Sequence, residues 1–322
     1  MLALASPASL KGVLAPAEAA RLLAEGLRRV DGVEAAEAPV ADGGEGTAAV
    51  LHATLGGDWR TTVVGDPFGR PVAARWLLLS DGTAVVDSAE AVGLPLLAED
   101  ELDPLRASTR GLGELLLATL AEQPTGLLVG VGGTATVDGG VGMRAVVGSW
   151  LRGLPIRVAC DVRNPLLGDR GAARVFGPQK GAGPEAVEQL ETRLASLEEL
   201  APYRELPGAG AGGGLGAAFA ALGAELCEGA ELVLDTIGFD ELARNADLVV
   251  TGEGTVDATT LEGKAPGAVL RRCERLGIPC ELFGGVVRDG IHAHALSGRR
   301  AVAGEDLIRL GEELALGLVE GP

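Results

Sequence analysis

The sequence predicts an α/β protein in which both chain ends build one domain and a second α/β domain is inserted between them. Three observations carry this reading. Apolar runs alternate with helical patterns up to about residue 58, the rhythm changes to the close spacing of hairpins from Trp59, and strand–helix–strand order returns near Asp247. The expected domains are 1–58 with 236–322, and 59–235. The chain of 322 residues is long enough for both, since a typical domain has about 150.

Leu2–Ala5 reads as a strand and Pro16–Arg29 as an amphipathic helix, with Pro16 in the first turn, where its missing N–H has no partner to lose. Val33–Val40 is a weak strand that runs into Asp42-Gly43-Gly44-Glu45-Gly46-Thr47, and Ala48–Leu55 is helical. Thr61–Val64, Ala73–Leu79 and Ala84–Val86 form a β-meander, parted by Gly69-Arg70-Pro71 and Asp81-Gly82. Gly111–Ala121 is a helix, Gly126–Val131 an apolar strand entering the glycine loop 132–140, and Ile156–Cys160 a strand ending at Asp161. Pro184–Leu200 and Leu215–Leu222 are helices. Asp247–Thr251, Pro266–Leu276 and Glu281–Phe283 complete a strand, helix and strand.

Composition excludes several classes of function. With 45 acidic and 27 basic residues the net charge is -18, which repels nucleic acid and anionic membranes. Aromatic residues, at 3%, are too sparse for a base-stacking platform. No nucleic-acid or membrane partner is expected. Pro207–Ala224 is too rich in glycine for a membrane span, and the short apolar N-terminus lacks the basic residue that opens a signal peptide. Cys160, Cys227, Cys273 and Cys280 form no C-x-x-C pair and read as small buried hydrophobes of a reduced, cytoplasmic chain.

Two outliers point to function. Glycine, at 50 residues, has about twice its usual share of roughly 7% and clusters between apolar runs, as functional loops do. Among 27 basic residues only Lys11, Lys180 and Lys264 are lysine, and each has a glycine beside it. A compact ammonium on a loop that lets backbone approach suits phosphate or carboxylate binding. Lys180 and Lys264 are expected outside the core.

Two nucleotide-binding patterns fail on their context. Gly208-x-Gly210-x-x-Gly213 follows no hydrophobic strand, and in Gly130-x-Gly132-x-x-Ala135 the helix is interrupted by Asp138-Gly139-Gly140. Gly263-Lys264 is no phosphate-binding P-loop, because Ala258 and Ala265 stand where a glycine and a hydroxyl are required. What remains is a set of strand-to-loop junctions bearing glycine and carboxylate: Asp42 and Glu45, Asp138, Asp161, then Glu253 and Asp257. Each alone is ordinary turn chemistry. Together with the rare lysines they point to a magnesium–nucleotide site, since carboxylates repel phosphate unless a cation intervenes.

These residues resemble the bacterial type I glycerate kinases. The likeness lies in Pro39-Val40-Ala41-Asp42-Gly43-Gly44-Glu45-Gly46-Thr47, Glu90-Ala91-Val92-Gly93-Leu94-Pro95-Leu96, Gly132-Gly133-Thr134-Ala135-Thr136-Val137-Asp138-Gly139-Gly140, Cys160-Asp161 with Asn164-Pro165-Leu166, and Val175 to Ala182. It continues through Pro207 to Gly216, Thr251-Gly252-Glu253-Gly254, Asp257 and Gly263-Lys264-Ala265-Pro266, in family order along nearly the whole chain. There are departures: Ala8, Val137, Thr255 and Thr259 replace an Asp, Asn, Arg and Gln of the family pattern. The stretch between Met143 and Ile156 and the C-terminal end also look shortened.

The resemblance implies a Rossmann-like domain with an inserted α/β domain, a site in the cleft between them, and ATP- and Mg2+-dependent phosphorylation of D-glycerate at the 2-hydroxyl. It leaves room for a homodimer. Asp42 or Asp257 would accept the hydroxyl proton, and Lys264 and Lys180 would neutralise the transferring phosphates. Lys11 or an arginine would hold the glycerate carboxylate, with Glu45, Gly132, Gly133, Thr134 and Gly254 completing the substrate and ATP contacts. Asp138, Asp161 and Glu253 are the metal-side candidates. The other readings are a nicotinamide-dependent oxidoreductase of a small hydroxy acid and a non-catalytic, sugar-acid-binding descendant of the kinases.

Overall fold

The computed structural model describes residues 1–288 and 290–320. The strands in chain order are β1 (Leu2–Ala5), β2 (Glu34–Glu37), β3 (Asp58–Gly65), β4 (Pro71–Leu78), β5 (Thr83–Asp87), β6 (Gly126–Gly130), β7 (Ile156–Cys160), β8 (Glu225–Glu228), β9 (Leu248–Val256), β10 (Cys280–Val287) and β11 (His294–Ala295). They form a mixed α/β fold with two sheets, in both of which parallel pairing predominates. The chain divides into two compact units: Met1–Asp42, Ala49–Leu55 and Ala230–Pro322 form one, Gly43–Ala48 and Gly56–Gly229 the other.

The first unit is built on a parallel sheet in the order β11-β10-β9-β1-β2, so strands from both chain ends lie side by side. Ala3, Ala5, Leu248, Val250 and Phe283 of the sheet pack with Leu23 and Leu27 of the Pro16–Leu27 helix and Leu307 and Leu310 of the Ala303–Glu320 helix. Each fully buried leucine contributes about 1.5–3 kcal/mol. The two helices approach closely at Gly26, where a Cβ would stand 2.0 Å from the Ile308 carbonyl oxygen.

The second unit carries a sheet in the order β3-β4-β5-β6-β7-β8, antiparallel through β5 and parallel beyond it. Leu127, Leu128 and Val129 of β6 are all buried, as expected where both faces of a parallel strand are covered. Trp76, Val86, Leu115, Leu116, Val158, Leu215 and Phe219 share one core with Leu127 and Val129.

Several expected elements change length for identifiable reasons. The strand expected at Val33–Val40 contracts to Glu34–Glu37, because its neighbour β1 offers only four residues for pairing. The one expected at Asp247–Thr251 extends to Val256, because β10 pairs with it that far, and this places Glu253 and Gly254 within a strand. The helix expected at Pro184–Leu200 ends at Ala195, and the Glu198–Tyr203 segment winds into a 3-10 helix containing Pro202. Gly212, Gly213 and Gly214 take left-handed conformations just before Leu215, which sets the start of regular helix there. The Val141–Val147, Gly229–Thr236, Phe239–Arg244 and Ala303–Glu320 helices and β8 add to the elements that the sequence predicts. Cys160 and Cys273 are buried as expected, but Cys227 and Cys280 are only half-buried, and none of the four is in a disulfide. Among the described residues no helix is long and apolar enough to cross a membrane.

Candidate functional site

In the unit built from the chain ends, β9 carries Glu253 and Gly254, and Asp257 caps the short Ala258–Glu262 helix that follows. The cap works because Asp257 accepts from the Thr259 amide at 3.0 Å and also from the Thr259 hydroxyl. The buried Thr260 hydroxyl links the two carboxylate residues: it donates to Glu253 Oε1 at 2.6 Å and accepts from the Asp257 amide at 3.1 Å. Lys264 Nζ lies 3.4 Å from Glu253 Oε1 and 3.8 Å from Asp257 Oδ1. Three predicted residues thus form one cluster. The Thr259 hydroxyl, with the Lys264 charge as a smaller contributor, holds the Asp257 carboxyl below the usual carboxylate range. Lys264 also stands at the N-cap of the Ala265–Leu276 helix, with Pro266 in its first turn.

Gly254 lies against the opening loop. Its amide donates to the Ser9 carbonyl at 3.3 Å, and a Cβ there would come within 3.2 Å of the Lys11 backbone nitrogen. The Lys11 residue itself is exposed, and Asp42, in the loop after β2, is half-buried.

In the inserted unit, two glycine loops pack backbone against backbone. A Cβ at Gly132 would stand 2.7 Å from Gly44 Cα, and one at Gly130 would stand 2.9 Å from the Gly43 carbonyl oxygen, so side chains at either position would force the loops apart. Glu45 Oε2 lies 3.4 Å from where a Gly133 Cβ would be. Asp87, the last residue of β5, reaches the same place: its Oδ2 accepts from the Gly46 amide at 3.1 Å and the Ala48 amide at 3.2 Å. Burial pushes its carboxyl up to about 7 against those two hydrogen bonds, and the charges of Glu90 and Glu45 push the same way. A cavity of about 190 Å³ is lined here by Glu45, Gly46, Asp87 and Glu90 with Ala73, Ala89, Pro95 and Leu96.

Lys180 corrects an expectation. It is 3% exposed, donating to Thr134 Oγ1 at 3.1 Å and to the Thr136 carbonyl at 2.8 Å, so it lies in the interior. Burial pushes its ammonium down to about 7, opposed by the charge of Asp138. The Asp138 carboxylate is engaged by the Thr109 amide and hydroxyl at 2.9 and 2.8 Å, the Gly140 amide at 3.0 Å and the Gly142 amide at 3.2 Å. It therefore ties the start of the Val141–Val147 helix to Thr109. Asp161 stands exposed just after β7. After β6 no helix begins before Val141, so the tight strand-to-helix turn of a dinucleotide site is missing there.

Known proteins share this chain's pattern along nearly its whole length. The family model described as the Glycerate kinase family matches residues 3–152 and 146–305. The chain belongs to the glycerate kinase family. Glycerate 2-kinase of Escherichia coli (strain K12) is 36% identical over 334 residues, covering 90% of this chain and 87% of that protein. Glycerate kinase of Halalkalibacterium halodurans is 38% identical, covering 89% and 86%. A crystal structure from Salmonella typhimurium LT2, provisionally named glycerate kinase 2, superposes with a TM-score of 0.88 at 32% identity, covering 100% of this chain and 99% of that one.

Two residues of this glycerate kinase family member, Asp87 and Thr260, are missing from the set chosen on sequence. Asp87 ends an apolar strand, but Ser88 follows it and no glycine marks the junction. Thr260 has no sequence signature beyond lying three residues after the capping residue Asp257, a spacing that suits a capping box.

Proposed function

We propose that this chain transfers a phosphoryl group from ATP to the 2-hydroxyl of D-glycerate, with magnesium. Family membership supports glycerate as acceptor, and the name of the Escherichia coli relative supports the 2-position. The observation that carries the chemistry is the Lys264–Glu253–Asp257 cluster, because phosphoryl transfer requires positioned charge and one carboxylate for the hydroxyl proton. Asp257, held ionised by the Thr259 hydroxyl and Lys264, can accept that proton, and Asp42 is the alternative base. Lys264 supplies a compact cation for phosphate oxygens and Lys11 one for the glycerate carboxylate. Glu45 and the Gly132-Gly133-Thr134 loop would supply further substrate and ATP contacts. Lys180 supports that loop from the interior rather than meeting phosphate.

The hard oxygen donors of Glu253 and Asp161 suit magnesium. Among the described residues no group of three His, Cys, Asp or Glu is placed to hold a metal ion; magnesium at kinase sites is held by one or two carboxylates together with nucleotide phosphates. When bound, magnesium would offset the negative charge of the transferred group. Asp138 is spent on four hydrogen bonds and serves the loop instead.

The test is ADP release with D-glycerate, L-glycerate and related hydroxy acids, with NMR identification of the product. Formation of 2-phosphoglycerate from D-glycerate is expected. 3-Phosphoglycerate would move the acceptor position, and no ADP release with any of these acids would overturn the reading.

A further inference from the structure

We infer that Asp87 is a positioning residue for phosphoryl transfer: its carboxylate anchors the Gly43–Ala48 loop to the end of β5. The inference rests on the proposed kinase function and adds a residue to it. Strand register places Asp87 directly beside Gly130, and the Ser88 amide donates to the Gly130 carbonyl at 2.8 Å. The missing Gly130 side chain leaves room for both partners, since a Cβ there would stand 3.0 Å from Asp87 Oδ1 and 2.9 Å from the Gly43 carbonyl oxygen.

The loop is shaped from within by Thr47, whose hydroxyl donates to the Gly44 carbonyl at 2.8 Å, but that bond does not tie it to the sheet. The two amide hydrogen bonds to Asp87 do. A buried carboxylate is costly unless its acceptor capacity is used, and accepting two amides from one loop is such a use. Glu45 rides on the segment so held, between the anchored Gly46 amide and Gly133.

The charged groups facing Asp87 are Glu45 on the loop and Glu90 on the following helix, the latter paired with Arg75 of β4 at 3.3 Å; β6 brings none. The Asp87 carboxyl, raised to about 7, therefore ionises in the neutral range and strengthens its hold on the amides as it does so.

The experiment combines hydrogen exchange of the 43–48 segment with kcat and KM for glycerate between pH 5.5 and 9, on wild type, Asp87→Asn and Asp87→Ala. In wild type, protection of the segment, corrected for intrinsic exchange, should rise through a pH of about 7, with kcat/KM rising in parallel. Asp87→Asn should lose both rises and fall about tenfold in kcat/KM, Asp87→Ala about a hundredfold, as misplacement by about 1 Å can cost. Should Asp87→Ala fail to fold, the isosteric Asn variant decides. Wild-type kcat/KM and protection in Asp87→Asn would overturn the inference, and so would a lowered Tm with unchanged kcat/KM. If wild type releases no ADP with glycerate, the kinase reading fails on its own, while loss of exchange protection still reports whether Asp87 holds the loop.

Discussion

Two groups of ionisable residues, one in each unit, are treated in opposite ways. In the chain-end unit Lys264, Glu253 and Asp257 are paired with one another at a partly exposed cluster, and Asp257 is held in its charged form. In the inserted unit Asp87 and Lys180 are buried, bonded mainly to neutral groups, and both driven toward neutrality near 7. Pairing preserves charge for work on a ligand, whereas burial converts a charged residue into a structural tie that carries a titration cost. Lysine rarity alone cannot separate the two uses: Lys180 and Lys264 look alike in sequence and differ in the fold.

The sharpest way to break this contrast is stability against pH. Between 3.8 and about 7 native Asp87 keeps a proton that the unfolded chain has lost, so its contribution makes stability fall as pH rises. Between about 7 and 10.5 the unfolded chain keeps a proton that native Lys180 has lost, so its contribution makes stability rise with pH. Each limb spans roughly three pH units and is worth up to about 4 kcal/mol. Chemical denaturation at pH 5, 7 and 9 should therefore show Asp87→Asn gaining on wild type from pH 5 to 7, and Lys180→Met losing ground to wild type from pH 7 to 9. Parallel profiles for all three proteins would show that burial does not set these charges.

On the paired side the expected effect is on rate. Lys264→Ala should lower kcat by about 10²–10³-fold, or about 2.7–4 kcal/mol, the range seen when a preorganised donor to developing charge is removed. Lys264→Arg keeps the charge but broadens the donor and should cost about tenfold, or roughly 1.4 kcal/mol. Melting temperature without ligand should barely move, since the side chain is 35% exposed. Wild-type kcat and KM in Lys264→Arg would remove the argument for a compact ammonium at this position.

The contrast also explains what was legible in the sequence. Strand and helix rhythm located most elements, because apolar periodicity is local, and the switch near Trp59 marked the antiparallel start of the second sheet. Strand ends were less legible, since β2 is cut short by β1 and β9 lengthened by β10, through pairing between distant segments. Glu253 and Lys264 could be picked out because glycine stands next to each. Asp87 could not be, because its role depends on the amides of residues 46 and 48, which only the fold brings to the end of β5. The interior position of Lys180 was likewise invisible beside Gly181, which takes a left-handed turn there.

The smallest expected effect isolates the link inside the paired cluster. Thr260 is fully buried, and its hydroxyl both donates to Glu253 and accepts from the Asp257 amide. Thr260→Val keeps the shape but removes both bonds, leaving Glu253 Oε1 with Lys264 and the Asp257 amide without this acceptor. Thr260→Ser keeps the hydroxyl and loses only a methyl group. If the link aligns the two carboxylates, Val should lower kcat/KM by about fivefold, close to the 1 kcal/mol or so of one hydrogen bond, and Ser should stay within about twofold of wild type. Equal losses in the two variants would mean that packing of the methyl group, not the hydroxyl, is what Thr260 contributes. Equal retention would mean that Lys264 alone holds Glu253 and Asp257 in register, which would make the lysine the organiser of its own carboxylates.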